Sequence, residues 1–167
     1  MMASFEIIPF RKSYQSQVIN LIVGIQSGEF GVEINADDQP DLKEIPRYYQ
    51  HGSGEFWLAV IDGQVVGTLS LLDIGKQQLA LRKMFVARHY RGAPYFIAQK
   101  LLETAVQWSK NHAITDIFLG TVPSYHAAHR FYEKNGFVRY PKNKLPEKFP
   151  IMLVDTWFYH LSLDPIL

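Results

Sequence analysis

Cysteine is absent from the 167-residue chain. Structural disulfides and thiolate zinc sites are therefore excluded. Long apolar runs are absent too: Val18 to Ile25 already contains Asn20 and Gly24 and is far too short to span a bilayer. Met1 to Phe10 carry no basic segment leading into an apolar one, so a secretory signal is not expected and a cytoplasmic protein is. The net charge is only +1, from 17 Lys and Arg against 16 Asp and Glu. Such a balance exerts no general pull on nucleic acid or anionic lipid, and neither is an expected partner. Also missing are the Gly-x-x-x-x-Gly-Lys loop, the Gly-x-Gly-x-x-Gly turn, His-Glu-x-x-His and a nucleophile elbow. His126 and His129 lie three apart on a predicted helix without an evident third ligand, so no metal is expected.

What remains is an ordinary globular composition, 47% hydrophobic and 20% charged. Phe5 to Ile8 reads as a strand, and Val18, Leu21, Ile22 and Ile25 give Tyr14 to Gln26 a helical stripe. A polar loop from Ser27 to Pro40 leads to a short helix from about Asp41 to Gln50, with Asp41 as its N-cap. Phe56–Ile61 and Val65–Leu72 flank Asp62-Gly63, the strongest hairpin signal in the chain. A third strand follows from about Leu79 to Val86, then a long helix from about Tyr95 to Asn111 with Ile97, Leu101, Leu102, Ala105 and Trp108 inward. Ile117–Val122 is a strand, Pro123-Ser124 opens a helix that Asn135-Gly136 stops, and Phe137–Tyr140 and Leu153–Leu161 are late strands. No repeat or composition break divides this order, which predicts a single α/β domain over 1–167. Its mixed, mostly antiparallel sheet is flanked by about four helices.

Two features point to a site. The extended segment Leu81–Val86 runs through Arg91-Gly92 directly into a helix, bringing free backbone N–H groups and a positive dipole end to one place, as an anion requires. Charge is also segregated: Glu29, Glu33, Asp37, Asp38, Asp41 and Glu44 make one segment acidic, and Arg139, Lys142, Lys144 and Lys148 make another basic.

The strand Arg82-Lys83-Met84-Phe85-Val86, the Tyr90-Arg91-Gly92 turn opening a helix with Leu101-Leu102, and Ala128-His129-Arg130-Phe131-Tyr132-Glu133-Lys134-Asn135-Gly136-Phe137 together resemble the Gcn5-related N-acetyltransferase (GNAT) superfamily. Order and spacing agree over nearly the whole chain. The resemblance implies acyl transfer from an acyl-coenzyme A, usually acetyl-CoA, to a primary amine without a covalent enzyme intermediate. It implies that backbone groups near Met84, Phe85 and Val86 pair with the pantetheine arm, and that Arg91, Gly92, Phe96, Ile97 and Ala98 cradle the pyrophosphate. A backbone N–H near Met84 or Phe85 is placed to stabilise the thioester oxyanion. Tyr132 matches the family's tyrosine that protonates the departing CoA thiolate. Tyr125, Ala128 and His129 share its helical stripe, so Tyr125 is expected in the same channel.

The chain departs from the family's loop pattern of Gln or Arg, two residues, Gly, one residue, then Gly or Ala. Pro94 and Phe96 occupy the loop and two residues are added after Gly92, with Pro94 expected at the first helical turn. The family's usual Glu before this strand is Ala80. An acceptor ammonium with a pKa near 10.4 must lose a proton before attack, and Glu33, Asp73, His126, His129 or a water chain remain as its takers. His89 is expected exposed. The leading reading is an acetyltransferase for a small amine, amino acid or related metabolite. The alternatives are an acyl-CoA-binding sensor that has lost turnover, or a modifier of protein lysines or N-termini. A groove closed by residues 27–45 and 141–150, with Tyr48, Tyr49 and Phe149, favours the small molecule. The acidic segment favours a cationic acceptor and the basic one an anionic acceptor. The family's habit also admits a homodimer, with Trp157-Phe158-Tyr159 as interface or core.

Overall fold

The Asp62-Gly63 turn closes as the sequence predicts, with φ of 48° and 76° at its two residues. Both angles are left-handed, which matches the twist of the strands that it joins. The computed structural model describes residues 4–164. Its strands are β1 (Glu6–Pro9), β2 (Glu55–Ile61), β3 (Gln64–Asp73), β4 (Gln78–Val86), β5 (Asp116–Thr121), β6 (Val138–Arg139) and β7 (Trp157–Ser162). They form one sheet in the order β1-β2-β3-β4-β5-β7-β6. Every pairing is antiparallel except β4 with β5, which is parallel and limited to Gln78–Ala80 against Asp116–Phe118.

Helices cover both faces. On one side α3 (Ile97–Asn111) and α4 (His126–Lys134) pack Ile97, Leu101, Leu102, Ala105 and Tyr132 onto Trp57, Leu69, Leu79, Leu81 and Val86. On the other, α1 (Gln15–Val23) and the short α2 (Ile45–Tyr48) bury Val18, Ile22, Ile45 and Tyr49 against Phe56 and Leu58. A smaller cluster of Ile74, Ala80, Phe118, Phe149 and Phe158 lies beside β5 and β7. Phe158 and Tyr159 are therefore core. Among the described residues no helix is long and apolar enough to cross a membrane.

β4 carries the irregularity that matters most. Its pairing with β3 slips between Arg82 opposite Ser70 and Phe85 opposite Thr68, and Lys83 sits at φ 54°. The hydroxyls of Thr68 and Ser70 donate to the carbonyls of Lys83 and Arg82, at 2.6 and 2.7 Å, and pin this bulge. One extra residue reverses the alternation of a strand. Leu79 and Leu81 face α3 before the bulge and Met84 and Val86 after it, while Arg82 and Lys83 both turn toward α2.

Several boundaries differ from expectation. The helix expected from Asp41 to Gln50 is a 3₁₀ turn, Pro40–Lys43, followed by α2, because Pro46 has no N–H to give an unbroken helix. Asp41 is no N-cap; it is buried inside the turn. α1 runs on through a π turn, Gly24–Glu29, that takes up the start of the expected loop. Pro94 is outside the first turn of α3: the amides of Tyr95 and Phe96 both donate to the Gly92 carbonyl, and Phe96 then adopts φ 53° before the helix begins at Ile97. The strand expected from Leu153 starts only at Trp157, since Asp155 N–H turns back to the Met152 carbonyl at 3.0 Å. Phe137 to Tyr140 narrows to Val138–Arg139.

Candidate active site

Beyond Ala80 and Phe118 the parallel strands part, and two adjoining cavities occupy the opening. The larger, about 230 Å³, is lined mainly by apolar groups: Ile25 and Phe30 from the π turn, Met84, Phe85 and Val86 from β4, Ala98 from α3, and Ala127, Ala128 and Phe131 from α4. The smaller, about 90 Å³, is more polar and includes Arg82, Lys83, Met152 and Asp155. Met84, Phe85, Tyr125, Ala128 and Tyr132 line both.

Tyr132 stands on that shared wall. Its ring packs on Phe137 and Tyr159, with centroids at 5.5 and 6.0 Å, and its hydroxyl has no hydrogen-bond partner among the described residues. Burial pushes its pKa well above the ordinary tyrosine value, so the phenol keeps its proton. Tyr125, edge-on to Phe85 and against Phe30, is pushed up to about 12, chiefly by burial. Facing them is Asp155, from the loop before β7. Burial raises its pKa to about 6 against the opposing pull of Arg82 and Lys83. Its carboxylate makes no hydrogen bond or ion pair among the described residues. It lies so close over Gly120 that a side chain there would put Cβ 2.9 Å from Oδ2.

Behind the smaller cavity is a buried polar cluster. Asp41 Oδ2 accepts a 2.5 Å hydrogen bond from the Tyr49 hydroxyl and lies 3.7 Å from Lys83 Nζ and 4.0 Å from Arg82 Nη1. Lys83 also donates to Gln39, which exchanges hydrogen bonds with Gln26. Burial lowers the Lys83 pKa to about 8, with Asp41 opposing. Arg82 Nη1 donates to the Tyr49 hydroxyl at 3.1 Å, whereas Nη2 meets only the Met152 thioether, at 3.1 Å.

Among the residues predicted from sequence, Met84, Phe85, Val86, Arg91, Ala98 and Tyr132 line the larger cavity. Arg91 is committed elsewhere: Nη2 donates to Glu29 at 2.7 Å and Nε to the Val86 carbonyl at 2.8 Å. Gly92 holds the turn at φ 66°, Phe96 is 56% exposed, and the Ile97 side chain is wholly core. The amides of Ile97, Ala98 and Gln99, at the first turn of α3, have no intrahelical carbonyl to bond. Of the three aromatics expected to wall the groove, Tyr48 is exposed, Tyr49 is buried behind the cavities and Phe149 lines the smaller one.

The proton takers considered from sequence do not line either cavity. Glu33 and His126 are exposed. Asp73 accepts from the amides of Ser53 and Gly75, both at 2.9 Å. His129 stacks on Trp157 and donates from Nε2 to the Val122 carbonyl at 3.0 Å. Asp155, Arg82 and Lys83 are the site residues that sequence reasoning missed. Only the adjacent cations inside an alternating strand signalled two of them.

Residues 20–137 match the Acetyltransferase (GNAT) family. The solved structure of a GNAT-family acetyltransferase from Staphylococcus aureus Mu50 is 38% identical, covers 96% of this chain and 100% of its own, and superposes with a TM-score of 0.93. N-acetyltransferase family 8 member 2 of Rattus norvegicus is 33% identical over 59% of this chain and 45% of its own length. N-acetylaspartate synthetase of Danio rerio is 35% identical over 59% of this chain and 35% of its own. The chain thus spans less than half the length of these two curated relatives. With the parted strands and the family match over most of its length, this chain belongs to the GNAT acetyltransferase family.

Proposed function

We propose that the chain, acting as one domain over 1–167, moves an acetyl group from acetyl-CoA to the primary amine of a small metabolite by direct attack. The observation that carries this reading is the Tyr132 hydroxyl, neutral and without a partner among the described residues, on the wall between an apolar channel and a small polar cavity.

The residues present fit an acyl-CoA. β4 beyond Ala80 has a strand partner on one edge only, which leaves backbone groups on the other for the amides of a pantetheine arm. The free amides at the start of α3 suit a pyrophosphate, and the helix dipole adds to them. These backbone donors, rather than the engaged Arg91 side chain, would carry that contact. Bound acetyl-CoA supplies a thioester whose carbonyl carbon accepts the amine.

Asp155, with a pKa of about 6, is mostly ionised at neutral pH and takes the proton that the acceptor ammonium must lose. The free amine then forms its C–N bond as the C–S bond breaks. Tyr132 gives its proton to the leaving sulfur, the new amide nitrogen sheds its surplus proton to solvent, and solvent restores the phenol. Backbone amides at the bulge, near Met84 and Phe85, face the developing oxyanion. The 90 Å³ of the smaller cavity supports a small molecule over a protein side chain as acceptor. The test is calorimetric titration with acetyl-CoA and CoA, followed by thiol release from acetyl-CoA across a panel of amines. Micromolar binding with amine-dependent release is expected; failure to bind either at millimolar concentration would falsify the reading.

A further inference from the structure

We infer that the smaller cavity is built for a zwitterion: an amino acid whose carboxylate meets Arg82 and whose ammonium meets Asp155. The inference rests on the acetyltransferase reading and specifies its acceptor.

Arg82 and Lys83 sit side by side because the β4 bulge turns two consecutive residues to one face. Among the described residues both pair directly with one carboxylate, Asp41, at 4.0 and 3.7 Å. The carboxylate that balances the second cation, Asp155, stands across the cavity without touching either. Buried charges are ordinarily paired in contact, so this separated pair leaves a place for a molecule between its members. The guanidinium also has an end to spare. Nη1 is occupied by Tyr49, but among the described residues Nη2 faces only the Met152 sulfur, a weak acceptor compared with a carboxylate. Both Arg82 and Met152 line the cavity, so an anion entering it replaces a poor partner with a good one.

Across the same space Asp155 has the opposite deficiency. Its carboxylate feels both cations electrostatically, yet makes no ion pair with either. A cation and an anion that line one cavity without touching present the complement of a molecule carrying both charges. With about 90 Å³ between them, that molecule is small, and Phe149 and Val154 leave it an apolar wall. The same contact that holds the ammonium at Asp155 begins its deprotonation, so binding and activation use one carboxylate. The confined volume favours a carboxylate, which the spare Nη2 can meet, over a larger phosphate.

The test is thiol release from acetyl-CoA with matched acceptors. Each common amino acid is compared with the amine left on losing its carboxylate, with its methyl ester, and, as a phosphate analogue, with O-phosphoethanolamine. At least one amino acid is expected to exceed its decarboxylated and esterified partners by about 30-fold or more in kcat/KM, the scale of a charge-assisted hydrogen-bond pair. Arg82→Gln is expected to erase that preference through KM, with acetyl-CoA affinity unchanged. Because Arg82 also holds Tyr49, folding of the variant is checked by circular dichroism, and the matched-pair ratio in the natural protein decides independently of it. Plain amines turned over as well as amino acids, or O-phosphoethanolamine preferred to every amino acid, overturns the zwitterion site and leaves the acetyltransferase reading standing. Acetyl-CoA bound with no amino acid turned over overturns it too. No acetyl-CoA binding removes the underlying reading and the inference together.

Discussion

Replacing Asp155 with Asn is expected to make the protein slower and more stable at once. The pKa of this carboxylate rises from an ordinary 3.8 to about 6, with burial the largest cause. The fold therefore disfavours the ionised form relative to the unfolded chain, by about 3 kcal/mol before solvent screening. The sign follows from linkage: an acid whose folded pKa is raised costs stability at pH values above that pKa. The cost is full above about pH 6, shrinks as pH falls toward 3.8, and vanishes below it, where the group is protonated in both states. Asp155→Asn carries no charge to desolvate, so its melting temperature should exceed the natural protein's by about 5–10 °C at pH 8. The two should converge near pH 3.5. Activity should move the other way. In the natural protein kcat/KM should fall below about pH 6 as the base protonates; in the variant that limb should disappear and the rate drop by roughly 10²–10⁴-fold, the usual worth of a general base. Scanning calorimetry across pH and thiol release on an acceptor of known pKa read both effects. A limb near pH 6 that survives in the variant, or a melting temperature at pH 8 that does not rise, refutes the assignment.

Other perturbations probe neighbouring groups. Tyr132→Phe removes only a hydroxyl and should lower kcat by about 10²-fold while leaving the acetyl-CoA Kd within about twofold; equal turnover would take Tyr132 out of the mechanism. Gly120→Ala puts a methyl 2.9 Å from both Asp155 Oδ2 and Phe158 Cε1. It should cost roughly 1–3 kcal/mol in urea unfolding and slow turnover by moving the carboxylate. Lys83→Met removes a cation whose charged form the fold disfavours, its pKa lowered to about 8 chiefly by burial, and leaves Asp41 paired with Arg82 and Tyr49, so it should cost under about 1 kcal/mol in urea unfolding at pH 7. A loss of about 3 kcal/mol or more would mean that Arg82, at 4.0 Å, does not suffice for Asp41 alone.

Much of the sheet is legible because its signals are local. Asp62-Gly63 fixes the register of β2 and β3, and Gly136, at φ 92°, ends α4 where Asn135-Gly136 predicts. The spacing of Ile97, Leu101, Leu102 and Ala105 places the buried face of α3. The cofactor side is legible for the same reason, since Met84 to Val86 and Tyr132 lie in contiguous patterns whose neighbours set their direction. The acceptor side is not. Asp155 reaches the cavity only because Phe149 is anchored under Phe158 and the chain folds back at Met152, neither of which has a local signature. Asp41 looks like a helix cap because an acid precedes an apolar run; burial beside Lys83 overrides that propensity. His129 and Tyr132 fall on one stripe, yet the first bends to the Val122 carbonyl and only the second faces the cavities.

The β4 bulge works on the strand as a frameshift works on a message. Ahead of Arg82 the odd-numbered residues face α3; beyond Lys83 the even-numbered ones do. Drawing the bulge flat with every residue kept would yield a straighter, regularly alternating strand and, in the same stroke, exchange the faces of everything downstream. Met84 and Val86 would leave the channel, and Lys83 would part from Asp41. Deleting Arg82 or Lys83 would instead abolish the bulge and keep Met84 and Val86 on the α3 face, with one cation lost. The hydroxyls of Thr68 and Ser70, which look like incidental polar groups in a buried strand, are what keeps the chain in this frame.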